Sequence, residues 1–179
     1  MIISLLRGIN VSGQKTIRMP ELKALYESLG FARVTTYLQS GNVAFDCAIP
    51  EASTVAGSIE KEIERHFGFT VSVLIRDRDD FGRIIEDNPF LTQRNEDIER
   101  LYVTFLSVLP STVALKNLDM PIDTTDEYFL SGKEIYLFCP NGYGRTKLSN
   151  SFFERKLKVA ATTRNWKTVS ALAGMANSR

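Results

Sequence analysis

Over residues 2–75 the hydrophobic period switches between two and 3.6 in one order: strand, helix, strand, strand, helix, strand. Ile2 to Leu6 is almost wholly apolar, as expected of a central strand covered on one or both faces. After a polar loop, Pro20 takes the first-turn position of a helix, where its missing N–H costs nothing. Leu22, Leu25, Tyr26 and Leu29 recur at i, i+3, i+4 and i+7, and Gly30 stands where a left-handed cap ends such a helix. Val34, Thr36 and Leu38 alternate, as do Val43 and Phe45, on either side of the turn Gln39-Ser40-Gly41-Asn42. Pro50 precedes a second helix with Ala52, Val55, Ala56, Ile59, Ile63 and Phe67 on one face, Gly68 stops it, and Val71, Val73 and Ile75 form the fourth strand. This order is the ferredoxin-like arrangement.

The second half is a looser echo. Asp77 and Asp80 start a short helix that Asn88-Pro89 ends, residues 101–108 read as a strand, and Ser111 caps a short helix. Residues 127–130 and 134–139 flank the glycine turn Ser131-Gly132-Lys133. Ser151 and Glu154 fit a capping box before Leu157, and a last helix carries Trp166, Val169, Leu172 and Met175. The fold class expected is α+β: two ferredoxin-like halves, βαββαβ and βαββ in type, with a helical basic C-terminal tail. The boundaries expected are a ferredoxin-like half at 1–76, a second α/β half at 77–140, and a basic helical segment at 141–179 packing on the body. Whether the halves share one sheet is open at this level.

Charge divides the 179 residues unevenly. The net charge is +1, yet residues 141–179 hold eight basic side chains against Glu154 alone, a local charge of +7. Such a split points to an anionic partner for the tail, or to docking of the tail on the acidic remainder. The two cysteines, Cys47 and Cys139, form no CxxC pair, and with the sole histidine, His66, they lack zinc-site spacing. No metal, cofactor or disulfide is expected. The first residues lack the basic and small-residue flanks of a signal peptide, and no run of 18 apolar residues occurs, so a cytoplasmic protein with no membrane partner is expected.

Three polar segments stand out as candidate sites. In a β-α-β-β-α-β sheet the exit of the first strand and the first hairpin turn lie at the same end. Arg7, Asn10 and Lys15 are therefore expected near Gln39, Ser40 and Asn42, with the Gly68 turn beside them. Hydrogen-bonding groups among accessible glycine amides suit a phosphate or other oxyanion; the same residues also serve as ordinary turn formers. The second segment, residues 141–150, carries Gly142, Gly144, Arg145, Lys147 and Asn150 into a helix start, without the spacing of a Walker A loop. In the third, Thr163 or Asn165 caps the last helix, Trp166 is a core anchor or a stacking platform, and Arg164 and Lys167 remain outside to reach a phosphate.

The chemistry of common hydrolases is missing. No Gly-x-Ser-x-Gly elbow or His-Glu-x-x-His occurs, and one histidine cannot build a triad. Asp79 with Asp80, and Glu60, Glu62 and Glu64, read as solvated helix faces rather than acid/base pairs. An RNA-recognition aromatic strand is also absent, although Tyr37, Phe45, Tyr136 and Phe138 are available.

The runs Leu5-Leu6-Arg7-Gly8-Ile9-Asn10-Val11, Leu38-Gln39-Ser40-Gly41-Asn42-Val43 and Thr162-Thr163-Arg164-Asn165-Trp166-Lys167-Thr168-Val169 together resemble a bacterial family known as domain of unknown function 1697. The resemblance extends from Met1 to about Met175. It implies a cytoplasmic bacterial protein of two-part α/β architecture and carries over no activity, cofactor or site.

The leading expectation is binding of an anionic ligand, nucleic acid or nucleotide, through the polar loop edge and the basic tail. Two alternatives stand beside it: an enzyme acting on a small phosphorylated or carboxylated metabolite, and a protein-interaction module. Oligomeric state is not legible.

Overall fold

The chain builds two separate four-stranded antiparallel sheets of mixed α+β type, described for residues 1–48 and 51–178 by a computed structural model. Pro50, expected to open the second helix, and Arg179 of the basic segment lie outside the described residues.

The first sheet has the order β2-β3-β1-β4, from β1 (Ile2–Leu6), β2 (Ala32–Tyr37), β3 (Asn42–Asp46) and β4 (Val73–Asp77). Two helices, α1 (Met19–Ser28) and α2 (Ala52–Phe67), cover one face. Pro20 opens α1, and Gly68 closes α2 in the left-handed conformation at φ 77°. Leu22, Leu25 and Tyr26 of α1 and Val55, Ile59 and Ile63 of α2 bury against Leu6, Val43, Phe45, Val73 and Ile75. Each such side chain contributes about 1.5–3 kcal/mol by leaving water. Tyr26 is fully enclosed, and its hydroxyl meets Ser4 Oγ at 2.8 Å, which satisfies the one polar group that α1 carries into the core. Phe31 stacks on Phe45 at 4.6 Å between ring centres. The opposite face of β1 is also buried, since Ile3 and Leu5 are as inaccessible as Leu6. That double burial is why the strand is apolar at successive positions.

The second sheet repeats the order as β6-β7-β5-β8, from β5 (Leu101–Leu106), β6 (Glu127–Ser131), β7 (Glu134–Phe138) and β8 (Ala161–Asn165). Before it come α3 (Arg78–Glu86), where Asp77 and Asp80 accept from each other's backbone N–H, and the single turn α4 (Pro89–Thr92), capped by Asn88. A single turn, α5 (Thr112–Leu115), stands in the first crossover, and α6 (Asn150–Leu157) in the second. Phe153 and Leu157 of α6 bury against Leu106, Ile135, Leu137 and Cys139. The chain ends in α7 (Trp166–Asn177).

Segment 141–179 therefore departs from the expected helical tail: it contains β8 between α6 and α7. The strand Ala-Thr-Thr-Arg-Asn has almost no apolar alternation to announce it. Its pairing with β5, from Leu106↔Ala161 to Tyr102↔Asn165, is what makes it extended. With β8 in place the second half is a full β-α-β-β-α-β unit. The cap of α6 is likewise Ser149, which accepts from Phe152 N–H at 3.2 Å, and not Ser151. Two compact units result: Met1–Gly82 with the chain from Ala171 onward, and Arg83–Ser170.

Neither cysteine is in a disulfide; Cys139 is buried and Cys47 half-buried. Burial pushes the Cys139 thiol up to about 11. Because the folded value lies above the unfolded one, the unfolded chain loses its proton first as pH rises. The contribution of Cys139 to stability is then complete below about pH 9 and declines between about pH 9 and 11. In native protein at pH 8, a thiol-exchange reagent is expected to titrate Cys47 and to reach Cys139 only on unfolding. Two equally fast thiols would contradict the buried, protonated state.

Candidate functional site

Antiparallel pairing places Leu5 opposite Asn42, so the exit of β1 and the β2–β3 turn share one end of the first sheet. The start of β4 joins them, because Arg7 N–H donates to Ser72 O at 2.9 Å. Loop 7–17 closes on itself here. Asn10 adopts φ 54°, donates from Nδ2 to Ile17 O at 3.0 Å and Gln39 O at 2.8 Å, and accepts from Ile17 N–H at 2.9 Å. One amide thus ties both ends of the loop and joins it to the hairpin turn. Asn42 is fully buried and donates to Tyr37 O at 2.8 Å and Ser40 Oγ at 3.0 Å.

The structure therefore brings together the expected residues of the polar edge but spends several of them on the backbone. Asn10, Ser40 and Asn42 hold turns; Gln39 lends its carbonyl to Asn10, and its side chain is exposed. Arg7 and Lys15 instead line a cleft of about 400 Å³ with Glu60, Lys61, Glu64 and Thr70. Lys15 Nζ donates to Thr70 O at 2.7 Å across it.

The second unit assembles the other two polar segments on one face of its sheet. Thr163 Oγ1 is the meeting point: it donates to Asn150 Oδ1 at 2.6 Å, accepts from Tyr143 Oη at 3.0 Å, and lies 2.7 Å from Thr104 Oγ1. The Tyr143 ring leans on Tyr102 at 5.1 Å, and Tyr143 N–H donates to Tyr102 Oη at 3.4 Å. Asn150 is therefore structural. Lys147 Nζ donates to Ile122 O at 2.6 Å and Asp123 O at 3.2 Å, beside exposed Arg145.

A cavity of about 550 Å³ is lined by Tyr102, Trp166, Asn165 and Lys167, with the exposed residues Ile98, Glu99 and Ser170 at its rim. Asn165 caps α7 by accepting from Thr168 N–H at 2.8 Å. Trp166 is 6% exposed, an anchor that still presents part of its surface to the cavity. Lys167 is exposed.

Arg164 departs from its expected place outside. It is 8% exposed and donates from Nη1 to Thr162 Oγ1 at 2.7 Å and Thr163 O at 3.0 Å. Alternation along β8 decides this: Thr163 and Asn165 share a face with Tyr102, so Arg164 falls on the other with Val103, and burial lowers its pKa to about 10. The remaining charge of the segment stays at the surface, with Arg145, Lys147, Arg155, Lys158 and Lys167 exposed and Lys156 half-buried.

Tyr102 and Glu99 escaped the sequence reading. Tyr102 pairs with Asn165, the residue before Trp166, across about 60 residues, and Glu99 precedes the same strand, so no local pattern records their meeting. Glu60 and Glu64, with Glu62, read as an ordinary solvated helix face, and nothing in the sequence singles out Lys61. Among the described residues no group of three or more His, Cys, Asp or Glu side chains is placed to hold a metal ion, and no helix is long and apolar enough to cross a membrane.

The solved structure described as that of conserved bacterial protein SP0830 from Streptococcus pneumoniae superposes with a TM-score of 0.72 at 24% identity, over 98% of each chain. It shares the two-unit fold. No curated protein matches the chain. The profile of DUF1697, described as a protein of unknown function, matches residues 1–136, which include the Arg7 and Gly41 motifs and stop short of Trp166. The chain belongs to the DUF1697 family.

Proposed function

We propose that this protein binds a nucleotide, free or as an unpaired unit of a single-stranded nucleic acid, in the cavity between Tyr102 and Trp166. The observation that carries the reading is the joint lining of one cavity by two aromatic side chains and an exposed lysine. A volume of about 550 Å³ suits a small ligand, since such pockets span about 300–1,000 Å³. Stacking of a base on an aromatic ring is worth about 1–3 kcal/mol and tolerates any base. Lys167 at the first turn of α7 meets the phosphate where the helix dipole also favours negative charge. Glu99 at the rim disfavours an anion placed there and accepts from an exocyclic amino group instead.

Trp166 is the only tryptophan and reports directly on its own cavity. Titration with AMP, and separately with a mixed-sequence RNA oligonucleotide, is expected to change its emission saturably. Lys167→Glu should weaken the response about tenfold, as loss of a charge-assisted contact with reversal of charge requires. An oligonucleotide response that fades steeply between low salt and about 200 mM identifies a polymer ligand. An AMP response that survives salt identifies a free nucleotide. Absence of both an emission change and calorimetric heat with either ligand would refute the reading.

A further inference from the structure

The first unit holds a cleft with a different chemistry. Its lining brings Arg7, Lys15 and Lys61 together with Glu60 and Glu64, three cationic side chains against two carboxylates, from the exit of β1, the following loop and α2. Glu60 Oε1 accepts the backbone N–H of Val73 at 2.7 Å, which fixes that carboxylate against β4 without removing its charge, so the lining is net positive by one side chain. The local balance favours a small oxyanion.

The loop delivers Lys15 in a held conformation. Asn10 clamps the base of the loop through its three side-chain bonds, and its N–H donates to Lys15 O at 3.2 Å. Lys15 itself sits at φ 47°, a strained position for a residue with a side chain. Its ammonium rests on the carbonyl of Thr70, an exposed residue at the mouth of the cleft. A neutral carbonyl is a weak partner for an ammonium compared with a carboxylate or phosphate oxygen, and water replaces it readily at an exposed position. Arg7 lines the same cleft; it already has a partner within the protein, and its guanidinium carries five N–H donors in one planar fork.

The geometry points to a second binding site here, one that takes the carboxylate or phosphate group of a small molecule between Arg7 and Lys15, with Lys15 turning from Thr70 O onto the ligand. Lys61 adds charge from α2, and Glu64 repels ligands that carry a second anion toward the helix. The site lies wholly within residues 1–82 and is independent of the cavity at Trp166.

The test is amide chemical-shift titration of the whole protein with inorganic phosphate and, separately, with acetate, at ionic strength held constant with sodium chloride. Saturable shifts at Lys15, Thr70 and Ser72 are expected for at least one probe, and which probe binds more tightly separates a phosphate ligand from a carboxylate one. Lys15→Gln should weaken that binding about tenfold while leaving the thermal midpoint unchanged, because Lys15 is exposed. Arg7→Gln should weaken it at least as much; should that variant unfold, Lys61→Gln replaces it, with a smaller loss. Lys167→Glu should leave it untouched. Shifts that stay linear for both probes, or equal affinity of Lys15→Gln and wild type, would overturn the assignment.

Discussion

Gly41→Ala is expected to destabilise the protein by about 2–4 kcal/mol. Gly41 sits at φ +75°, where a side chain costs about 1 kcal/mol. The larger part is steric. An added Cβ would lie 2.7 Å from Ile9 Cδ1 and 2.8 Å from Leu6 Cβ. Ile9 Cδ1 ends a rotatable side chain, but Leu6 Cβ is anchored to β1, whose N–H at Leu6 donates to Gly41 O at 2.8 Å. The two backbones cannot separate without breaking that bond, so overpacking of about 1–3 kcal/mol adds to the conformational cost. A fall in the urea midpoint at unchanged m-value would measure it. Gly144→Ala, with open space around it and no positive φ, is the control and should stay within about 0.5 kcal/mol of wild type. Equal stability of the two variants would show that the turn has room that the close approach denies. The functional consequence is local: Ile9 and Asn10 hold the loop that carries Lys15, so the first-unit cleft should loosen with the turn.

Thr163→Val is expected to cost about 3 kcal/mol, although the two side chains share a shape. A threonine hydroxyl has one proton and two lone pairs. Here the proton goes to Asn150 Oδ1, and the lone pairs face Tyr143 Oη and Thr104 Oγ1, so its capacity is filled. Valine leaves those partners without it. Thr104 is fully buried and cannot turn to water, whereas Tyr143 and Asn150 are partly accessible. A buried group stripped of its partner costs about 1–3 kcal/mol, and the two others add less. For a chain of this length the thermal midpoint should fall by roughly 6–12 °C. Thr163→Ser keeps the hydroxyl and should recover most of the loss. Since Tyr143 leans on Tyr102, the valine variant should also weaken the nucleotide binding proposed for the cavity, and the serine variant should restore it. A valine variant as stable as the serine one would remove Thr163 as the junction of the two segments.

The first unit was legible because most of its signals agree. Helical faces such as Leu22, Leu25 and Tyr26 are ended by Gly30 and Gly68 at positive φ, and the Gly41 turn joins two strands as expected. Leu38, expected within the first of them, instead lies beyond β2 at φ 59° and is exposed, and β3 is buried at four successive positions instead of alternating. The second unit was legible as far as β7 and then failed. Its first helix is a single turn at Thr112–Leu115, too short to show a period, and β8 is a polar strand with nothing in its own composition to mark it. Thr163 and Arg164 are extended because β5 offers them partners, not because they prefer to be.

The same division separates the candidate sites. Three polar segments, their glycine turns and the basic excess near the C-terminus could be read from residues alone, and so could the meeting of Arg7, Lys15 and the Gly41 turn at one end of the first sheet, which follows from strand order. Tertiary structure decided which of those groups still face solvent. Asn10, Asn42 and Asn150 carry the donors and acceptors of a ligand site, yet each is consumed by the nearest backbone or hydroxyl partner. Arg164 and Lys167, three residues apart, end buried and exposed because one lies within a strand and the other in the first turn of a helix. Residue type determines what a side chain is able to bind; strand register, together with the cost of leaving a buried polar group unpaired, determines whether it remains available to do so.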